Sequence, residues 1–161
     1  MITKIIGIDP GISNVGWAIL ESSKQGVITA IASDTIKTSS ASNFQDRIQS
    51  IITQIDLIIK EYKPSIFGLE EVFINKNPQN SIKLVQARGA IIAICSMNNL
   101  IMREFSATKI KKTVTGIGNS DKNQIEYMVK LLIKGSKPKT EHESDAIAIA
   151  YTSFVMSNNM V

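Results

Sequence analysis

The chain has 161 residues, a formal net charge of +4 and a pI near 9.2, dimensions that suit one domain spanning residues 1–161 with a core large enough to need neither disulfides nor structural zinc. Cys95 is the single cysteine, which excludes an intramolecular disulfide, and beside Ile91, Ile92, Ala93 and Ile94 it reads as a buried structural residue of a cytoplasmic protein. No apolar run approaches the ~20 residues that span a bilayer and no signal-peptide pattern opens the chain, so a soluble protein with no membrane association is expected.

Lys4–Asp9 is a short β-branched run stopped by Pro10-Gly11. Val15–Leu20 follows a turn containing Gly11, Ser13 and Asn14, the pattern of an antiparallel pair. Val27–Ile36, after Gly26, reads as a third strand and completes a meander. A helix is predicted over Asn43–Tyr62, where Ile48, Ile51, Ile52, Ile55, Ile58 and Ile59 recur at helical spacing. Ser42 and Gln45 form its capping box, and Pro64 ends it. Ile66–Leu69 is a brief buried strand that delivers Glu70 at its C-terminal end. In the next helix, Gln79–Met97, apolar residues occupy most of the circumference, so it should touch its own sheet and a second surface. Leu100–Phe105 is the fifth strand, followed by helices over Asp121–Ile133 and Glu141–Met156 with the lysine-rich turn Lys134–Lys139 between them. This order predicts an α/β protein with a mixed five-stranded sheet and helices on both faces.

Acids stand at the ends of several of these elements. Asp9 closes the first strand, where Asp-Pro-Gly also suits a plain turn. Glu70 closes the fourth, with Glu71 pointing to the opposite face; a pair of exposed acids on an edge strand is the bland alternative. At the start of the last helix, Thr140 and Glu143 form a capping box, which accounts for Glu143 without catalysis. Asp145 lies three residues after His142 and four after Glu141, and it leads into the apolar run Ala146–Ala150, where a buried acid needs a partner such as a metal ion. Hydrolysis of a phosphodiester by paired divalent cations about 3.5–4 Å apart calls for carboxylates converging in this way. From Lys109 to Lys139 the basic residues Lys111, Lys112, Lys122, Lys130, Lys134 and Lys137 outnumber acids, which fits either a phosphate backbone or an ordinary solvated surface.

Gly7-Ile8-Asp9-Pro10-Gly11 with Gly16, Leu69-Glu70-Glu71-Val72-Phe73, Gln86-Ala87-Arg88-Gly89, Thr113-Val114-Thr115-Gly116-Ile117-Gly118 and His142 with Asp145-Ala146 resemble, in order and spacing and over nearly the whole chain, the RuvC family of Holliday junction resolvases. The resemblance implies a ribonuclease H-like fold and a homodimer, formed here through the Gln79–Met97 helix. It implies paired nicks of opposed strands in a four-way DNA junction that leave 5′-phosphate and 3′-hydroxyl ends. It further implies two Mg2+ ions per site, with Mn2+ able to substitute, held by Asp9, Glu70, Asp145 and, as fourth ligand, His142; Glu141 is the next candidate for that place. Asp9, on the central strand, is the candidate to bridge both ions. Phe73 would meet an unstacked base, and Lys111 and Lys122 would face the cleaved backbone. Gly116 and Gly118 would let the main chain approach DNA, and Ser120 would cap a phosphate-accepting helix beginning at Asp121. The RuvA and RuvB branch-migration proteins are the implied partners.

Three other readings compete with this one. Nucleotide-binding folds of the actin, Hsp70 and sugar-kinase type also open with Gly-Ile-Asp-x-Gly, but they need two facing domains and a second phosphate loop, which this length does not supply. A nuclease acting on structured RNA and a junction-binding module that does not cut are the remaining alternatives.

Overall fold

The computed structural model describes residues 2–72 and 78–158. Its elements are β1 (Thr3–Asp9), β2 (Asn14–Ser22), β3 (Ile28–Lys37), α1 (Phe44–Tyr62), β4 (Ile66–Glu70), α2 (Pro78–Met97), β5 (Ile101–Phe105), α3 (Ala107–Thr115), α4 (Lys122–Leu132) and α5 (Glu141–Asn158). The strands form one five-stranded sheet in the order β3-β2-β1-β4-β5. The predicted meander β1-β2-β3 is antiparallel, whereas β4 and β5 add in parallel through helical crossovers. β1 is therefore the central strand, as expected for the one that carries Asp9. No described helix is long and apolar enough to cross a membrane.

Side chains alternate along each strand, so the sheet divides the interior into two cores. Ile6, Ile8, Ile19, Phe67 and Leu69 face α1 and α2, where they meet Ile51, Ile55, Ile91 and Cys95. Cys95 is fully buried, and burial pushes its thiol up to about 12, so it is packing and not a nucleophile. On the other face Ile5, Ala18, Leu20 and Ile66 meet Ile110 and Val114 of α3, Ile125 and Val129 of α4, and Ile147 and Ala150 of α5.

The second face carries Gly7, Gly16 and Gly68, and α5 lies directly on them. A Cβ on Gly7 would collide with the Ala146 carbonyl, one on Gly16 with the His142 carbonyl, and one on Gly68 with the side chains of Ser153 and Ile149. The missing side chains let a helix rest on the sheet backbone, closer than any larger residue would permit.

Local expectations need correction at three helix starts. The cap of α1 is Asn43, whose side chain accepts the Asp46 N–H, not Ser42 with Gln45. Helix α3 is not among the predicted elements, although Ser106 as N-cap, Ile110 and Val114 one turn apart, and Gly116 at φ 82 as C-cap are ordinary helix signals in a short segment. Asp121, not Ser120, caps α4, in a reciprocal capping box with Gln124. The end of α1 is as expected: Lys63 turns left-handed at φ 52 and Pro64 follows.

Gly16→Ala should lower the melting temperature, at a cost of roughly 1–3 kcal/mol or more, because the added methyl meets helix backbone and not a side chain that can yield. Urea and thermal melts check this; an unchanged midpoint would mean that α5 is not seated on the sheet as described.

Candidate active site

Strands β1 and β4 run parallel with Ile8 opposite Leu69, so Asp9 and Glu70, one step further on, leave the sheet side by side. Both sit on the face that α5 covers, since Asp9 pairs with Gly16 and Gly16 lies under His142. The first turns of α5 present His142 and Asp145, spaced to share one face of the helix. His142 Nδ1 lies 2.8 Å from Asp9 Oδ2, a bond that spans 133 residues of sequence. Lys111 from α3 and Lys122 from the start of α4 join Glu70 and Asp145 around a cavity of about 270 Å³, whose apolar floor includes Ile110, Ile125 and Ile149.

The electrostatics follow from packing acids together under a helix. Burial pushes the Asp9 carboxyl above its ordinary range, against the lowering influence of His142 and Lys122. Burial, then repulsion from Asp9, raises Glu70, while Lys111 and Lys122 oppose the shift. Asp145 is pushed up to about 6, first by burial and next by Asp9, with Glu70 adding and Lys122 and His142 opposing. Burial is the first cause at all three acids and the charge of Asp9 adds to it at Glu70 and Asp145, so the site is short of positive charge.

The chemistry of the donor set is what fits a divalent cation here. Three carboxylates and one imidazole are suitable donors, and the two lysines reduce the deficit without removing it. Among the described residues, no three His, Cys, Asp or Glu side chains close around one point as a finished metal cage.

Of the predicted site residues, the structure brings together Asp9, Glu70, His142, Asp145, Lys111 and Lys122. Glu141, the reserve fourth ligand, is instead ion-paired with Lys122. Ser120 is 3% exposed, and its hydroxyl is engaged by Thr115 Oγ1 and the Ile117 carbonyl, so it braces the turn and does not cap α4. Gly116 is exposed with open space where a Cβ would be, while Gly118 packs against Thr108. Phe73 lies outside the described residues.

Two further residues contribute to the site through partners that no local pattern reveals. Arg88 Nε donates to the Glu70 carbonyl at 3.4 Å, and its guanidinium pairs with Glu104 on β5, which ties α2 to the strand end that carries Glu70. Its place in Gln86-Ala87-Arg88-Gly89 was a signal, but its partner was not visible. Glu143 is 2% exposed and bonded to Ser33 of β3, so capping alone does not describe it.

The chain matches the family described as crossover junction endodeoxyribonuclease RuvC over residues 5–153. A curated relative of that description from Rickettsia bellii (strain RML369-C) is 44% identical over 157 residues, 96% of this chain and 98% of the relative. One from Rickettsia akari (strain Hartford) is 42% identical over 153 residues, 94% of this chain and 97% of the relative. Among solved structures, Thermus thermophilus RuvC aligns with a TM-score of 0.85 at 22% identity, covering 98% of this chain and 97% of that one. The same protein in complex with Holliday junction substrate aligns with a TM-score of 0.85 at 20% identity, covering 97% and 96%. With the sheet order, the paired strand-end acids and the family match in agreement, this chain belongs to the RuvC family of crossover junction endodeoxyribonucleases.

Proposed function

We propose that Asp9, Glu70, Asp145 and His142 hold the divalent cations with which this chain cuts DNA. Membership of the family makes it a crossover junction endodeoxyribonuclease, a metal-dependent nuclease that resolves four-way junctions. The observation that carries the site assignment is the parallel register of β1 and β4, which sets Asp9 and Glu70 side by side beneath the N-terminus of α5.

The oxygen-rich donor set favours Mg2+, two ions per site, with Mn2+ able to substitute. When bound, such ions activate a water for attack on phosphorus and neutralise charge on the leaving 3′ oxygen. The chain's own residues have separable tasks. Asp9, on the central strand, would be one ligand of the cations, and His142, 2.8 Å from it, would be another. Glu70 and Asp145 flank it. Lys111 and Lys122 offer positive charge to the phosphate that enters the cavity. Lys122 exchanges its ion pair with Glu141 for that phosphate. The turn with exposed Gly116 and half-buried Gly118 gives the backbone close access to DNA, and Phe73 stacks on an unpaired base. The products carry 5′-phosphate and 3′-hydroxyl ends.

Symmetric cutting of two strands requires two sites, and α2 offers a surface for a second copy. Ala87, Ile91 and Cys95 face the core, whereas Ile82 (54% exposed), Val85 (42%) and Met97 (78%) lie outside it. Gly89 and Ala93, also exposed, continue that outer stripe, and a Cβ on Gly89 would meet nothing. An apolar stripe with small residues at its middle suits close crossing of two α2 helices. RuvA and RuvB are the branch-migration partners proposed by family resemblance.

Asp9→Asn should bind a synthetic four-way junction in gel shift yet fail to nick it with Mg2+; normal cutting would overturn the site assignment. Linear duplex and structured RNA serve as the competing substrates in the same assay. His142→Ala should impair cutting with either metal, while His142→Asp keeps a ligand and should remain active.

The raised acids also predict a stability signature without metal. A carboxyl whose folded pKa exceeds its unfolded value binds more protons when folded, so stability present at low pH is lost as pH rises through the folded pKa. With EDTA present, melting temperature should therefore fall between about pH 4 and pH 6.5, the window set by the ordinary Asp value and Asp145 near 6. Asp145→Asn should flatten this slope and, at pH 7, stabilise the metal-free protein by on the order of 1–2 kcal/mol, less than full conversion of the shift because the side chain keeps some solvent. Mg2+ or Mn2+ should raise the wild-type melting temperature at pH 7 and leave the variant nearly unmoved.

Sedimentation should show a dimer at micromolar concentration, and Val85→Lys should shift it to monomer without loss of helix content. A wild-type protein that sediments only as monomer would remove the dimer from the proposal.

A further inference from the structure

We propose that Glu143 and Ser33 form a positioning pair that fixes the first turn of α5 over the sheet and so holds His142 against Asp9. Glu143 follows His142 directly and precedes Asp145 by two residues, yet its side chain turns away from the cavity and into the protein, where it is 2% exposed. A buried carboxylate persists only where its oxygens are satisfied. Here Oε2 accepts the Ser33 hydroxyl at 2.9 Å and the Lys139 backbone N–H at 3.4 Å, while Oε1 accepts the Thr140 hydroxyl at 3.4 Å.

Thr140 extends the contact. Its oxygen accepts the Glu143 N–H at 3.1 Å and lies 2.8 Å from the Thr35 hydroxyl. A hydroxyl has one proton, so when Thr140 donates to Glu143 it is Thr35 that donates to Thr140. Strand β3 thus grips the start of α5 at two points, Ser33 and Thr35, which point to the same face. A capping box would need only the helix's own first turn, with the carboxylate returning to the N-cap N–H. The bond to Ser33 spans 110 residues and joins a different element, so it does more than cap.

The register of the sheet explains why this grip bears on the site. Asp9 pairs with Gly16, and Gly16 with Thr35; one row over, Gly7 pairs with Ala18, and Ala18 with Ser33. Each row runs from the region of the acids, through a residue small enough to admit α5, to a hydroxyl that holds it. Glycine contacts set how near the helix lies but constrain its rotation and sliding weakly. Directional hydrogen bonds at its first turn supply that constraint. Rotation of α5 about its axis would carry His142 off the 2.8 Å contact with Asp9 and move Asp145 with it.

The inference rests on the proposed membership of His142 and Asp9 in the site, and its test has a readout that does not depend on cutting. His142 is the only histidine, so its ring-proton resonances report its surroundings without ambiguity in the metal-free, DNA-free full chain. At one fixed pH, Ser33→Ala and Glu143→Gln should move these resonances toward their positions in Asp9→Asn, where the bond cannot form in the same way. Junction nicking with Mg2+ should fall by at least about tenfold in kcat, because small misplacements of reacting groups are costly, while junction affinity without metal stays within about twofold. Ser33→Thr, which keeps the hydroxyl, should retain both the resonances and the rate. Resonances that stay at wild-type positions in Ser33→Ala would overturn the proposal. So would an equal loss of melting temperature and rate in Ser33→Ala and Ser33→Thr, which marks a merely structural contact. If the resonances move and the rate does not, the positioning stands and the site assignment of His142 fails, which separates the two readings.

Discussion

Everything at this site depends on how closely α5 lies on the sheet. Three glycines, Gly7 on β1, Gly16 on β2 and Gly68 on β4, leave no side chain beneath the helix, and the carbonyls of His142 and Ala146 occupy the space a Cβ would need at two of them. A helix that rested on ordinary side chains would stand further from the sheet. At such a distance Asp9 would not reach His142, and Glu70 and Asp145 would not share a cavity. The glycines therefore act through geometry, not flexibility; none of the three has a positive φ.

Close packing brings an electrostatic penalty that the remainder of the fold absorbs. Burial raises Asp9, and burial together with repulsion from Asp9 raises Glu70 and Asp145, so the metal-free protein holds an unfavourable cluster. Two extensive aliphatic cores, one on each face of the sheet, supply the opposing stabilisation. The start of α5 also helps, since a helix N-terminus favours negative charge and Glu141, Glu143 and Asp145 all lie in its first turns. Lys111 and Lys122, from helices after β5, bring cationic charge to the cavity without filling it. Such strain is what a cation-dependent site requires: it is relieved when positive charge arrives.

Neighbouring elements hold this arrangement from both sides. On one flank Arg88 joins the Glu70 carbonyl to Glu104, coupling α2 and β5 to the end of β4. On the other, the hydroxyls of β3 hold the first turn of α5. The same α2 that supplies Arg88 exposes Ile82, Val85 and Met97 on its outer side, so the element that steadies Glu70 is also the one proposed to meet a second copy.

The sequence by itself determined the elements and the acids that end them. Alternating and helical periodicities are local, so among the described residues all five strands and four of the five helices are legible, as are Asp9, Glu70 and Asp145 at element ends. Short segments governed by a few contacts are not. Helix α3 is nine residues long, and the caps of α1 and α4 each fell one residue from the expected place. Tertiary structure alone decided which distant partners the polar groups of neighbouring positions take. It put Asp145 at the cavity and Glu143 against Ser33, paired Glu141 with Lys122, and used Ser120 to brace a turn. Those outcomes turn on the parallel register of β1 with β4 and on the seating of α5 across three strands. Both join residues far apart in the chain, and no local pattern of side chains encodes a distance through space.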